Sequence, residues 1–237
     1  MIMIKLPEKY IHCICKFGTL EHLEEMRNEG VLYMNTIAYF KKHEQEGVRG
    51  DKNEGIRQYF QNDFVKIHIK KRDGTEYVIN KDNGLAGPVR VGFKEDETQN
   101  VFCTYAIVEE GSKPQIDKKN IKFGDHVLVI LNTEQFHENI MENAKRQDKW
   151  VEARLVKYID LTSHNGDVDM FTKSDEFLWQ SEYRIVLNPG EGNGYKFRIG
   201  SMKDYSIIIK ADQLNDSLHY EIKNDTLHTT SQTKENI

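Results

Sequence analysis

The run His126-Val127-Leu128-Val129-Ile130-Leu131 most constrains the fold. It is nearly all apolar, too short for a helix of ordinary length, and rich in β-branched residues, which predicts a strand buried on both faces. Asn100 to Val108 predicts a second central strand. A sheet with two such strands must be covered on both sides. The rest of the chain supplies the cover as short elements punctuated by turn residues.

Tyr10 to Phe17 predicts a strand ended by Gly18-Thr19, with Thr19 as the N-cap of a helix over Leu20 to Glu29. Leu20, Leu23 and Met26 form its inner stripe, the early glutamates suit its dipole, and Gly30 is its stop. Val31 to Met34 is a second strand, followed by the aromatic pair Tyr39-Phe40. Residues 43–55 are polar and Gly-rich and read as a solvated loop, from which Arg49, Asp51 and Glu54 are within reach of a substrate. Ile56 stands where a calcium loop needs glycine, so no metal site is expected there.

Phe64 to Lys70 alternates, turns at Arg72-Asp73-Gly74 and returns over Glu76 to Asn80 as a hairpin with a basic tip of Lys70, Lys71 and Arg72. His68 reads as a surface residue. Thr133 caps a helix with Phe136, Ile140 and Ala144 on one side. Val151 to Leu155 alternates as a strand extending to Asp160, and 161–176 reads as a polar loop. Gly190 to Gly194 joins two strands and opens no helix, so it reads as a hairpin rather than a phosphate cradle. Phe197 to Ile199 and Tyr205 to Lys210 are further strands.

Phe177 to Leu187 holds aromatic and β-branched residues without Gly or Pro and predicts one strand. Alternation puts Trp179, Ser181, Tyr183, Ile185 and Leu187 on a core face. Leu178, Gln180, Glu182, Arg184 and Val186 take the other. An amide, a carboxylate and a guanidinium in a row belong either to a solvated face with a Glu182–Arg184 pair or to the wall of a cleft.

Gln180-Ser181-Glu182 resembles the Gln-x-Glu signature of the ADP-ribosyltransferase superfamily. Phe171-Thr172-Lys173 followed by Glu182 and Arg184 resembles the closing motif of a poorly characterised group of bacterial and phage proteins. The opening strand, Lys-Phe-Gly-Thr turn, short helix, Gly and second strand is similar to the start of such transferases, with Lys16 in the slot usually held by His or Arg. Lys there offers a point charge in place of a fork or ring.

The elements predict one α+β domain over 1–215, mostly antiparallel with a few short helices, and a polar tail over 216–237; the resemblance implies that two sheets form a cleft. It implies an enzyme that transfers ADP-ribose from NAD+ to a nucleic acid or protein acceptor. Glu182 and Gln180 would be catalytic. Lys16, Gly18, Thr19, Tyr33 and Tyr39 would hold NAD+. Lys173, Arg184 and Arg49 would recognise substrate, with the 161–176 loop contacting the acceptor. Lys16 and Glu182 would face each other across the cleft. Relatives of this kind serve as toxins with an antitoxin partner or as effectors in phage defence. The alternative is a non-catalytic nucleic-acid-binding defence module using Lys70, Lys71, Arg72, Lys118 and Lys119.

Composition sets the remaining bounds. Charged residues make up 30% and hydrophobic residues 38% of the chain, which predicts a soluble protein. No run reaches the roughly 18 apolar residues of a membrane span. The first residues show no secretory h-region. Cys13, Cys15 and Cys103 make no even disulfide framework, which places the chain in a reducing cytoplasm. A net charge of −5 gives no global attraction to nucleic acid.

Overall fold

Strand β7 is the axis of the computed structural model, which describes residues 11–43, 51–108 and 116–218. The first elements are β1 (Ile11–Gly18), α1 (Leu20–Glu29), β2 (Val31–Thr36) and α2 (Ile37–Lys42). Next come β3 (Ile56–Phe60), β4 (Ile67–Lys70), β5 (Glu76–Ile79), β6 (Val89–Gly92) and β7 (Asn100–Val108). Then follow β8 (His126–Ile130), α3 (Thr133–Arg146), β9 (Trp150–Leu155), β10 (Lys157–Ile159), β11 (Gly166–Asp167) and β12 (Thr172–Ser174). The last are β13 (Glu182–Asn188), β14 (Tyr195–Arg198), β15 (Ser206–Lys210) and α4 (Leu214–Ser217).

The chain is α+β with mostly antiparallel strands. An eight-stranded sheet runs β14-β2-β7-β1-β8-β15, and β13 and β9 join it through β7. Tyr105 of β7 is in register with Cys15 of β1 and with Glu182 of β13, so those two strands flank β7 on opposite edges. This corrects the expectation that they form facing walls: both belong to one sheet. Three small sheets, β11-β3-β6, β4-β5 and β10-β12, stand apart from it.

Both faces of the large sheet are buried. On one, α1 and α3 press Leu23, Met26, Phe136, Ile140 and Ala144 onto Ile14, Phe102, Tyr183, Ile185 and Leu187. On the other, Val101, Val186, Met170, Phe171 and Ile37 form a second apolar cluster. Cys13, Cys15, Phe17, Ile107, Val127 and Val129 form a third. Gly30 ends α1 in the left-handed region at φ 67°, the conformation its C′ position demands. Thr19 sits at the N-cap without a side-chain capping bond. Asn132, one residue before the expected Thr133, caps α3 by accepting from Gln135 N–H.

The predicted strand over 177–187 is half right. Asp175–Gln180 forms a 3-10 helix, and Ser181 turns the chain at φ 37° before β13 begins. Ser181 Oγ donates to Ala106 O, the Trp179 carbonyl accepts from Asn120, and the Trp179 ring stacks on Phe123. These long-range contacts decide a segment whose aromatic residues suit either conformation. The 161–176 stretch likewise contains β11 and β12, with Lys173 and Ser174 buried. The proposed tail boundary at 216 falls inside α4, which buries Leu214; residues from 219 onward lie outside those described. Among the described residues no helix is long and apolar enough to cross a membrane.

Candidate functional site

Ser181 delivers Glu182 as the first residue of β13, and alternation then puts Glu182, Arg184 and Val186 on the face opposite Tyr183 and Ile185. That face is covered, so the solvated alternative does not hold. Glu182 is 4% exposed and Arg184 1%. Above them β10 and β12 pair in parallel and bring Tyr158 beside Lys173. Tyr158 Oη accepts the Glu182 N–H at 2.9 Å.

Lys173 Nζ donates to Gln180 Oε1 at 2.9 Å and to Glu182 Oε2 at 2.8 Å. Arg184 Nε donates to Glu182 Oε1 at 2.7 Å. The other end of the guanidinium binds Glu54 bidentately, at 2.7 and 2.9 Å, and also reaches the Met170 carbonyl. Glu54 comes from the turn over 51–55, expected to be a solvated loop and found buried: Asp51, Asn53 and Glu54 are all inside. Gly55 at φ 69° seats this turn against Ile37, whose Cγ2 leaves no room for a Cβ. Asp51 Oδ1 accepts from Asn53 N–H at 2.8 Å, while its Oδ2 is buried without a partner among the described residues.

The charges set one another's protonation. Burial pushes Glu182 up, but the adjacent charges of Arg184 and Lys173, with hydrogen bonds from Arg184 and Cys103, hold it well below the usual carboxylate range. Burial likewise opposes the charge on Lys173, and Glu182 and Glu54 raise it nonetheless. Burial and then the charge of Glu54 push Asp51 up to about 6. Burial and then Glu182 push the Cys103 thiol up to about 12.

The site thus gathers Gln180, Glu182, Lys173 and Arg184 from the expected set, together with Asp51 and Glu54. The remaining expected residues lie elsewhere. Lys16 follows Cys15 on β1 and so points to the Tyr183 face, opposite Glu182. Its Nζ donates to Cys103 O at 2.6 Å and lies 4.4 Å from the Phe102 ring centre. The sheet therefore separates Lys16 from Glu182, and the expected approach of the two is corrected. Gly18 and Thr19 belong to the β1–α1 turn. Tyr33 is 55% exposed on β2, and its hydroxyl leaves no room for a Cβ on Gly194. Tyr39 of α2 stacks on His43 at 4.0 Å. Arg49 lies outside the described residues.

Tyr158 was not singled out from sequence, and Cys103 was noted only as a thiol without a disulfide partner. Only their position beside Glu182 marks them, so no local signal was available. A separate surface hollow of about 430 Å³ is lined by Arg57, Gln58, Val91, Phe93, Asp167 and Val168, none of them part of the ionic cluster. Among the described residues no group of three His, Cys, Asp or Glu is arranged to hold a metal ion. Comparison with family models, curated proteins and solved structures gives no match.

Proposed function

We propose that the buried ionic cluster is the reaction centre of an enzyme that breaks the nicotinamide–ribose bond of NAD+ and passes ADP-ribose to a nucleic acid or protein. The observation that carries this reading is the convergence of Gln180 and Glu182 on one Lys173 ammonium, inside a cluster where, among the described residues, three carboxylates outnumber two cations. The transition state of such a transfer resembles an oxocarbenium ion, as in glycoside hydrolysis. Carboxylates already held in a dry site stabilise that charge without reorganising. Burying this many ionised groups is a poor route to stability alone, because desolvation offsets most of the attraction.

The end of NAD+ that suits the cluster chemically is the nicotinamide–ribose end, whose cationic ring and hydroxyl donors would meet the excess of negative charge among the described residues. For the diphosphate, Lys16 is on the wrong face and takes no part in the proposal. Glu182 stabilises the developing charge, and Gln180 orients the acceptor. The setting we propose, from the resemblance, is a toxin with an antitoxin partner or an effector in phage defence. The test is release of nicotinamide and transfer of labelled ADP-ribose to separate protein, DNA and RNA fractions. Transfer by the wild type that is lost in Glu182→Gln supports the reading; a wild type that consumes no NAD+ with any fraction refutes it.

One observation favours the alternative module. The β4–β5 hairpin has Lys70, Lys71 and Arg72 exposed at its tip, while both Glu182 oxygens are taken by cations. Salt-sensitive retention of DNA or RNA that is lost on reversing these three charges, with no NAD+ turnover, would establish it.

A further inference from the structure

Within the cluster, Glu54 and Glu182 are matched one for one by Arg184 and Lys173. Asp51 is the carboxylate left over. It is 3% exposed, it lies in the turn that presents Glu54, and its Oδ2 has no hydrogen-bond partner among the described residues. A buried carboxylate oxygen without a donor is costly and unusual in a folded chain. Packing does not account for it, since Asn53 N–H needs only Oδ1.

We propose that Asp51 is the group that meets the substrate, its Oδ2 accepting a hydrogen bond from or facing a cationic group of the ligand. This rests on the NAD+ reading and adds Asp51 as a second working charge beside Glu182, whose two oxygens are each held by a cation. In the transfer, the C1′–N bond breaks and its electron pair leaves with nicotinamide. The acceptor's O or N atom bonds C1′, and the proton it gives up passes to Asp51. The charged groups that act on Asp51 are Glu54 on its own turn, Lys173 of β12 and Arg184 of β13, and Glu182 of β13 is held by the same two cations. Arg90 of β6 reaches the same turn through Asn53 Oδ1 at 2.9 Å. Burial and Glu54 place the Asp51 titration at about 6, so the ionised, proton-accepting form exists above that pH.

Full-length wild type and Asp51→Asn are compared in two assays. Asn keeps the acceptor for Asn53 N–H. First, nicotinamide release from NAD+ is followed against pH. Wild-type kcat/KM should fall about tenfold per pH unit below about 6, and Asp51→Asn should lose roughly 10²-fold at neutral pH together with that limb. Second, the ¹³C-labelled Asp51 carboxyl is titrated by NMR with and without 1-methylnicotinamide, a cationic pyridinium lacking ribose. Its midpoint should fall by about one unit when the cation is present. Release that is unchanged in Asp51→Asn overturns the inference. If the wild type releases no nicotinamide, the NAD+ reading fails and the titration alone decides. A midpoint moved by the cation then keeps Asp51 as a ligand-facing group, and an unmoved one overturns it.

Discussion

Arg184 and Glu54, 130 positions apart in sequence, form a bidentate ion pair in which both residues are almost completely buried. It ties β13 to the 51–55 turn. Removing one partner of such a pair strands the other charge in a dry site, typically at about 3–5 kcal/mol. Glu54→Ala should therefore lower unfolding stability by that amount in urea or guanidinium titrations. A loss under about 1 kcal/mol would show that Arg184 does not depend on Glu54 for compensation.

Glu182→Gln should lose both activity and stability. Turnover of NAD+ should fall roughly 10²–10³-fold if Glu182 stabilises the transition state. Stability should also fall, on the order of 3 kcal/mol, because Lys173 and Arg184 each lose a charged partner and are left to share Glu54. Adding Lys173→Met restores the charge balance and should recover part of the stability without recovering turnover. Recovery of turnover in the double variant would assign Glu182 a purely structural role.

The two unusual carboxyls give stability opposite pH dependences. Glu182 is depressed in the folded state, so its contribution is present above the unfolded value of about 4.3 and is lost as pH falls toward the folded one. Asp51 is raised to about 6. Its contribution is present below the unfolded value of about 3.9 and is lost as pH rises through about 6. Asp51→Asn should therefore stabilise the protein by about 2–3 kcal/mol above pH 6 and leave it nearly unchanged near pH 4. Melting curves at the two pH values check this, and equal shifts at both would contradict the assignment.

Cys103 should resist thiol reagents in the folded chain. Burial and the charge of Glu182 place its titration near 12, so almost no thiolate exists at about pH 8. Labelling followed by mass spectrometry should find Cys103 modified only after denaturant is added.

Gly30→Ala should cost more than the roughly 1 kcal/mol of a left-handed residue. A Cβ at Gly30 would collide with the Gly200 backbone as well. A melting temperature within about a degree of wild type would show that the Gly200 segment moves aside easily.

Much of the frame was legible in the residues. The nearly all-apolar 126–131 run became β8, with Val127 to Ile130 buried in the sheet and Leu131 exposed just past its end, and Asn100–Val108 became the strand on which β1, β2 and β13 all pair. Helix α1 and its Gly30 stop, the β4–β5 hairpin and the Phe136, Ile140, Ala144 stripe of α3 follow from periodicity and turn chemistry, which are local. The expected pairing of Lys16 with Glu182 failed because a motif says which residues are present but not which edge and face of a sheet each strand offers. One register fact, Tyr105 opposite both Cys15 and Glu182, decided it.

By itself the sequence determined the elements and their apolar faces, and it flagged Gln180, Glu182, Lys173 and Arg184 as residues whose chemistry needs explaining. Tertiary structure alone decided that these polar groups would be buried together. Glu54 and Asp51 come from a Gly-rich turn that resembles any solvated loop until Ile37, Lys173 and Arg184 close around it. Burial of a charge depends on partners far along the chain to offset its desolvation, and no local pattern of residues records where those partners will be.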